Sequence, residues 1–157
     1  MINKEEELVK ILIEKGYYIS FAESATGGLL AARLINVSNA SKVLKESFVT
    51  YSDEAKMKYL NVKKETIDKY NVVSEEVAGE MALGLANETK ANVCATVTGV
   101  AGPTGGTKDI PIGMICFGFY INGKLITKTQ KFGDLGRNNV RQKASDFVYE
   151  TLLELLK

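Results

Sequence analysis

Histidine and tryptophan are absent from this 157-residue sequence, which also contains only two prolines and two cysteines. Without an imidazole group, a Ser-His-Asp triad and any histidine-based metal site are excluded. A nucleophile in this chain would need Lys, Asp, Glu or Tyr as its base. We therefore expect a lysine to be the catalytic base, if the protein is an enzyme that uses a nucleophile.

The two cysteines, Cys94 and Cys116, lie within the apolar runs 93–97 and 114–119. Free cysteines in such runs are usually buried and unreactive. Disulfides are also unnecessary, because a chain of this length buries about two thirds of its unfolded surface in a single core. We predict one domain over residues 1–157 and no cysteine nucleophile.

No charge of one sign dominates, since 20 Lys and Arg residues oppose 19 Asp and Glu residues. This balance argues against nucleic acid or an anionic membrane as a partner. No hydrophobic run is long enough to cross a bilayer, and residues 1–7 lack the apolar core of a signal peptide. We expect a soluble cytoplasmic protein that binds a small molecule.

Short apolar runs alternate with helical patterns along the chain, which predicts an α/β fold. Asn3, Ser52 and Ser74 are placed to cap helices, and Asn138 or Asn139 is expected to begin the last one. The predicted strands cover residues 17–22, 46–51, 93–98, 113–121 and 124–132, and the other predicted helices cover residues 4–15, 29–35 and 75–90. Asn122-Gly123 indicates a tight antiparallel hairpin near the C-terminus. The sheet should be mixed, mostly parallel and covered by helices on both faces.

Two glycine-rich polar loops, residues 22–28 and 98–107, each follow a predicted strand. Ligands of open α/β sheets bind beyond the carboxyl ends of parallel strands, so both loops are expected to open on one edge. Gly27 and Gly28 leave the backbone uncrowded at a helix start, which suits anion binding or an oxyanion hole. The alternative is an ordinary strand-to-helix turn in which Ser24 or Thr26 is the helix N-cap.

Lys56 follows the predicted cap Ser52 by about one helical turn. To act as a base it must be neutral, so its pKa must lie below the usual value of about 10.4. A helix N-terminus and nearby arginines would lower that pKa, whereas Asp53 and Glu54 would raise it. The alternative is a solvated lysine on the helix surface.

Arg137 and Arg141 lie at the start of the last predicted helix, after the glycine-containing segment 133–136. Two guanidinium groups beside free backbone donors suit a phosphate group. The alternative is a surface turn whose arginines pair with carboxylates on the helix face.

Together these motifs resemble the C-terminal domain of the competence/damage-inducible protein CinA, whose stand-alone versions are nicotinamide mononucleotide deamidases. The similarity covers nearly the whole chain. It rests on the segments 22–28, 48–56, 73–75, 98–106 and 111–113, and on Gly133-Asp134 with Arg141. Two departures are Ala25, where the family often has cysteine, and the segment 133–137, which is longer than the family's Gly-Asp-Arg pattern.

The resemblance implies a three-layer α/β/α sandwich and hydrolysis of the nicotinamide carboxamide to nicotinate and ammonia, without a metal or other cofactor. It implies that Ser24 is the nucleophile and Lys56 the general base, with Tyr51 and Arg141 in supporting or substrate-binding positions.

We therefore predict a catalytic group and a substrate-binding group of residues. The catalytic residues are Ser24, Lys56 and Tyr51, and the substrate-binding residues are Thr26, Gly27, Gly28, Gly99, Gly102, Thr104, Gly105, Arg137 and Arg141. The expected partners are a small-molecule nucleotide substrate and further copies of the chain in a homo-oligomer, a dimer or larger. Two other functions stay open: a non-catalytic nucleotide- or phosphate-binding module, and an amidase for another small carboxamide such as glutamine.

Overall fold

A computed structural model describes residues 2–157, which form six α-helices and five strands. The strands are β1 (Ile19–Glu23), β2 (Phe48–Val49), β3 (Val93–Gly99), β4 (Met114–Ile121) and β5 (Lys124–Lys131). The helices are α1 (Lys4–Lys15), α2 (Leu29–Leu34), α3 (Asp53–Leu60), α4 (Lys64–Tyr70), α5 (Glu75–Thr89) and α6 (Arg137–Leu156). The prediction of an α/β fold is confirmed.

The five strands form one mixed sheet in the order β2-β1-β3-β4-β5. β1 pairs in parallel with both β2 and β3, whereas β3 pairs antiparallel with β4, and β4 antiparallel with β5. The β4–β5 register places Ile121 opposite Lys124 across Asn122-Gly123, as the hairpin signal predicts. β1, β2, β3 and β5 run in the same direction, as expected for a mostly parallel sheet. Of the four strand pairings, however, two are parallel and two are antiparallel.

Helices cover both faces of the sheet, so the three-layer arrangement is confirmed. On one face, side chains of α1 and α6, such as Leu8 and Val148, pack with Phe21 and Val97 of the sheet. On the other face, α3 and α5 pack against alternate residues of the same strands, including Cys94. All five residues of β1 are buried, as expected for a strand between two helical layers.

Three polar caps begin helices where the sequence predicts them. The side chains of Asn3, Ser52 and Ser74 accept hydrogen bonds from backbone N–H groups at the starts of α1, α3 and α5, at 2.8, 3.1 and 3.1 Å. These bonds satisfy donors that have no partner within the helix. They fix the start of α3, which carries Lys56.

α3 and α5 cross closely at Gly84. A Cβ atom built on Gly84 would lie 1.7 Å from the carbonyl oxygen of Leu60. No side chain other than hydrogen fits that space, so the contact sets the depth of α3 against the sheet. Lys56 lies one turn before Leu60 on the same helix, and its position depends on this contact.

Several boundaries differ from the prediction. β2 has two residues rather than the expected six, because it pairs with β1 alone and only over Phe48 and Val49. α4 has no fully buried residue, so it lacks the apolar stripe that would have predicted it. α6 begins at Arg137 after Gly136, one residue before the predicted start, and no side chain caps it.

Candidate active site

The two glycine-rich loops and the start of α3 meet at the carboxyl ends of β1, β2 and β3, as predicted. They surround a cavity of about 280 Å³. Its lining combines the segments that carry Ser24 and Lys56, the second glycine-rich loop and the start of α6. The lining residues are Ser24, Ala25, Tyr51, Asp53, Lys56, Val72, Val73, Thr98, Gly99, Val100, Ala101, Gly102, Thr104, Gly105 and Arg137.

Ser24 and Lys56 are in contact at the floor of this cavity. The Nζ atom of Lys56 lies 3.1 Å from the Oγ atom of Ser24 and donates to the carbonyl oxygen of Thr50 at 2.8 Å. Lys56 is only 2% exposed, so the alternative of a solvated helix lysine is wrong. A buried amine within hydrogen-bonding distance of a serine hydroxyl has the geometry of a base and its nucleophile.

Burial also shifts the pKa of Lys56. It lowers the pKa of the amine below 10.5, because a charged ammonium loses its hydration there. The carboxylate of Asp53 opposes this shift by stabilising the charged form. Desolvation, and not a neighbouring arginine as expected from the sequence, lowers this pKa.

The thiols are not alternative nucleophiles. Cys94 and Cys116 are fully buried, and neither lines the cavity around Ser24. Burial raises the pKa of Cys94 to about 12 and also raises that of Cys116, which keeps both thiols protonated at neutral pH. The predicted burial of both cysteines is confirmed.

Glu23 fixes the start of α2, a role that the sequence did not reveal. Its carboxylate is 1% exposed and accepts hydrogen bonds from the N–H groups of Leu30 and Ala31 at 2.9 and 3.1 Å. The N-cap position is Gly28, with no side-chain cap, so the alternative in which Ser24 or Thr26 caps the helix is wrong. The donors at this helix start are used by the chain's own carboxylate, which argues against the expected anion site at Gly27-Gly28.

Arg137 lies at the mouth of the cavity. Its guanidinium donates to the carbonyl oxygen of Gly102 at 2.8 Å and to the hydroxyl of Tyr51 at 2.7 Å. The side chain therefore bridges α6, the second loop and the segment before α3. Within residues 2–157 it forms no ion pair with a carboxylate, so the alternative of arginines paired with helix-face carboxylates does not hold for Arg137.

The side chain of Arg141 contacts the backbone of the first glycine-rich loop instead of the cavity. It does not line the cavity, and it donates to the carbonyl oxygens of Ala25 and Thr26 at 3.0 and 2.9 Å. The structure thus brings only some of the predicted substrate-binding residues to the cavity. Those present are Gly99, Gly102, Thr104, Gly105 and Arg137, and those outside its lining are Thr26, Gly27, Gly28 and Arg141.

A metal-binding cluster and a membrane-spanning helix are both absent from the part of the chain that the structure describes. Among residues 2–157, no group of three or more His, Cys, Asp or Glu side chains is arranged to hold a metal ion. Over the same stretch, every helix falls short of the length and apolar character that a membrane crossing requires.

Known proteins share this whole architecture. Residues 2–156 match the family model of the CinA C-terminal domain. A CinA-like protein of Kosmotoga olearia is 46% identical over 156 residues, covering 97% of this chain and 38% of the relative. A putative competence-damage inducible protein of Alkaliphilus oremlandii is 48% identical over 151 residues, covering 96% of this chain and 36% of the relative. The chain thus spans less than two fifths of the length of these relatives.

Solved structures of similar proteins have the same fold as this chain. The crystal structure of a competence-damaged protein (CinA) superfamily protein from Escherichia coli is 36% identical, with a TM-score of 0.94 over 98% of this chain and 88% of the other. The competence/damage inducible protein CihA from Agrobacterium tumefaciens is 34% identical, with a TM-score of 0.91 over 100% of this chain and 98% of the other. From the match over residues 2–156 and these likenesses, the chain belongs to the CinA C-terminal domain family.

Proposed function

We propose that the chain is an amidase that hydrolyses the carboxamide of nicotinamide mononucleotide to nicotinate mononucleotide and ammonia. The observation that carries the proposal is the 3.1 Å contact between the buried Lys56 Nζ and Ser24 Oγ inside a cavity. A non-catalytic binding module has no need for a desolvated lysine, which costs folding free energy. The family resemblance supports the choice of substrate.

The first chemical step forms an acyl-enzyme. Ser24 Oγ attacks the carboxamide carbon while the neutral Nζ of Lys56 takes the hydroxyl proton, and the C=O π electrons move onto oxygen. The carbonyl then re-forms as the C–N bond breaks, and the leaving nitrogen takes the proton from Lys56 to depart as ammonia. An ester of Ser24 and a neutral Lys56 remain.

The second step releases the acid. Lys56 takes a proton from water as the water oxygen attacks the ester carbon. When the tetrahedral intermediate collapses, the proton returns to Ser24 Oγ and nicotinate mononucleotide leaves. Throughout, the Thr50 carbonyl oxygen accepts a hydrogen bond from Lys56 and orients the amine.

The distribution of exposed and buried residues supports one orientation of the substrate. Ser24, Lys56 and Thr98 are buried at the floor, whereas Tyr51, Thr104 and Arg137 are exposed at the mouth. A volume of about 280 Å³ is near the lower limit of about 300 Å³ for small-molecule pockets. The pyridine carboxamide fits the floor, which leaves the ribose phosphate at the mouth beside Arg137.

We expect Arg137→Ala to weaken the reaction of the phosphorylated substrate selectively. The guanidinium of Arg137 is at the mouth and has no carboxylate partner among residues 2–157, so it can bind the phosphate with its positive charge. A hydrogen bond to a charged group contributes about 1.5–3 kcal/mol. Loss of this contact should therefore lower kcat/KM for the mononucleotide by about 10- to 150-fold. The kinetics of nicotinamide riboside, which lacks the phosphate, provide the comparison. An equal decrease in kcat/KM for both substrates would show that Arg137 does not bind the phosphate.

Ammonia release from a substrate panel tests the proposed function directly. Purified protein is incubated with nicotinamide mononucleotide, nicotinamide, the dinucleotide and glutamine, and Ser24→Ala protein is run in parallel. The mononucleotide should have the highest kcat/KM, because it is the one compound of the four that has both a terminal phosphate monoester and the carboxamide. Preference for glutamine would indicate another carboxamide amidase, and binding of the mononucleotide without ammonia release would indicate a binding module.

A further inference from the structure

Ser24 lies in a tight turn that is held at both ends. The N–H of Ser24 donates to the carbonyl oxygen of Val97 on β3 at 3.1 Å, which ties the turn to the sheet. The N–H of Gly27 donates to the carbonyl oxygen of Ser24 at 3.0 Å, which closes a four-residue turn. The nucleophile is therefore part of a defined backbone geometry and not of a flexible loop.

Arg141 fixes the two peptide groups inside this turn. Its Nε and Nη2 atoms donate to the carbonyl oxygens of Ala25 and Thr26, across 116 and 115 residues of sequence. Gly27 has a φ of 58°, and a Cβ atom built on it would lie 3.5 Å from Arg141 Nη2. The guanidinium thus lies directly against the turn and is not part of the cavity lining.

The direction of the Ala25 N–H follows from peptide planarity. In a trans peptide the C=O and N–H groups point in opposite directions. The carbonyl of Ser24 points to Gly27, so the N–H of Ala25 in the same peptide group points away from Gly27. Ala25 lines the cavity, and among the residues that the structure describes its N–H has no hydrogen-bond acceptor.

We infer that Arg141 is a positioning residue that holds the Ser24 turn so that the Ala25 N–H binds the oxyanion. The N–H of the residue after a nucleophile has this role in hydrolases with a strand-to-helix nucleophile turn. This inference rests on the proposed amidase function and identifies one donor for its transition state. It also assigns Arg141 to the turn and leaves the phosphate to Arg137.

Arg141→Ala and Arg141→Lys test the inference through a split between kcat and KM. Without the two carbonyl contacts the turn can relax, so kcat should fall by about 10- to 100-fold with little change in KM. The decrease should be equal for nicotinamide mononucleotide and nicotinamide riboside, because the defect is at the carboxamide. Added guanidinium ion should restore part of the kcat of Arg141→Ala but have no such effect on wild-type protein.

A substrate analogue with an aldehyde in place of the carboxamide adds a direct measurement. Ser24 would add to 3-formylpyridine mononucleotide to give a tetrahedral adduct with an oxyanion. In wild-type protein the Ala25 amide proton should shift downfield when the adduct forms, as measured by NMR. The Arg141 variants should lose about 10- to 100-fold in affinity for the aldehyde, yet bind the product nicotinate mononucleotide normally.

Lys143→Ala is the matched control, since Lys143 is an exposed cation on the same helix, two residues from Arg141. It should leave kcat, KM and aldehyde affinity unchanged. A rise in KM for the mononucleotide alone in the Arg141 variants would overturn the inference and make Arg141 a phosphate ligand. An unshifted Ala25 amide in the wild-type adduct would also overturn it. Absence of ammonia release by wild-type protein would instead refute the proposed function.

Discussion

Ser24→Ala should reduce ammonia release from nicotinamide mononucleotide by about a thousandfold or more. The variant lacks the hydroxyl oxygen in contact with Lys56 Nζ, and the carbonyl oxygen of Thr50, which also contacts this amine, cannot form an ester with the substrate. Removal of the nucleophile from serine hydrolases causes losses of at least this size, because the remaining groups cannot replace covalent catalysis. The initial rate of ammonia release measures the effect.

A matched control and a trapped intermediate make this result specific. Ser38→Ala removes an exposed hydroxyl that is not part of the cavity lining and should retain wild-type kinetics. Mass spectrometry of acid-quenched wild-type protein should find the acyl group on the peptide that contains Ser24, and the Ser24→Ala protein should lack it. Near-normal turnover by Ser24→Ala, in a preparation free of host amidases, would show that Ser24 is not the nucleophile.

Lys56→Arg should also abolish turnover, with a loss of about a thousandfold or more. The substitution preserves the positive charge but replaces an amine that can be neutral with a guanidinium that stays protonated. Burial lowers the pKa of Lys56, so the wild-type amine loses its proton at a lower pH than an ordinary lysine. The wild-type rate should therefore rise with pH through the pKa of Lys56, and a pH profile of kcat/KM measures this.

Two variants on the same helix complete the test of Lys56. Lys58→Arg changes an exposed lysine two residues away and should leave the rate and the pH profile unchanged. Asp53→Asn removes the charge that raises the pKa of Lys56, so the rising limb of the profile should move to lower pH. An active Lys56→Arg enzyme with the wild-type profile would show that another group is the base.

Local signals in the sequence predicted most of the framework. The caps at Asn3, Ser52 and Ser74 and the Asn122-Gly123 hairpin depend on residues within a few positions, so they are visible without the fold. The convergence of the two loops followed from the parallel order of β1 and β3. α4 could not be predicted in this way, since no residue of it is fully buried.

The arrangement of the site could not be predicted in the same way, because it depends on contacts between residues that are distant in sequence. Lysines are rarely buried, and nothing near Lys56 in sequence distinguishes it from an exposed helix lysine. In the fold it is buried and contacts Ser24, which is 32 residues away. The same holds for Glu23 and Arg141, whose backbone partners lie across the first loop or on another element. The sequence therefore identified the candidate residues and the sheet edge at which they lie, whereas the directions of the guanidinium groups required the structure.

The burial of Lys56 also makes the stability of the folded chain depend on pH. Its pKa is lower in the folded chain than in the unfolded chain, so between those two values the unfolded chain binds more protons. Stability therefore rises with pH across that window, and at neutral pH the lysine reduces it. An uncharged apolar residue at this position would relieve the cost. Under the proposed amidase function, selection for turnover retains this lysine at position 56 although selection for stability opposes it.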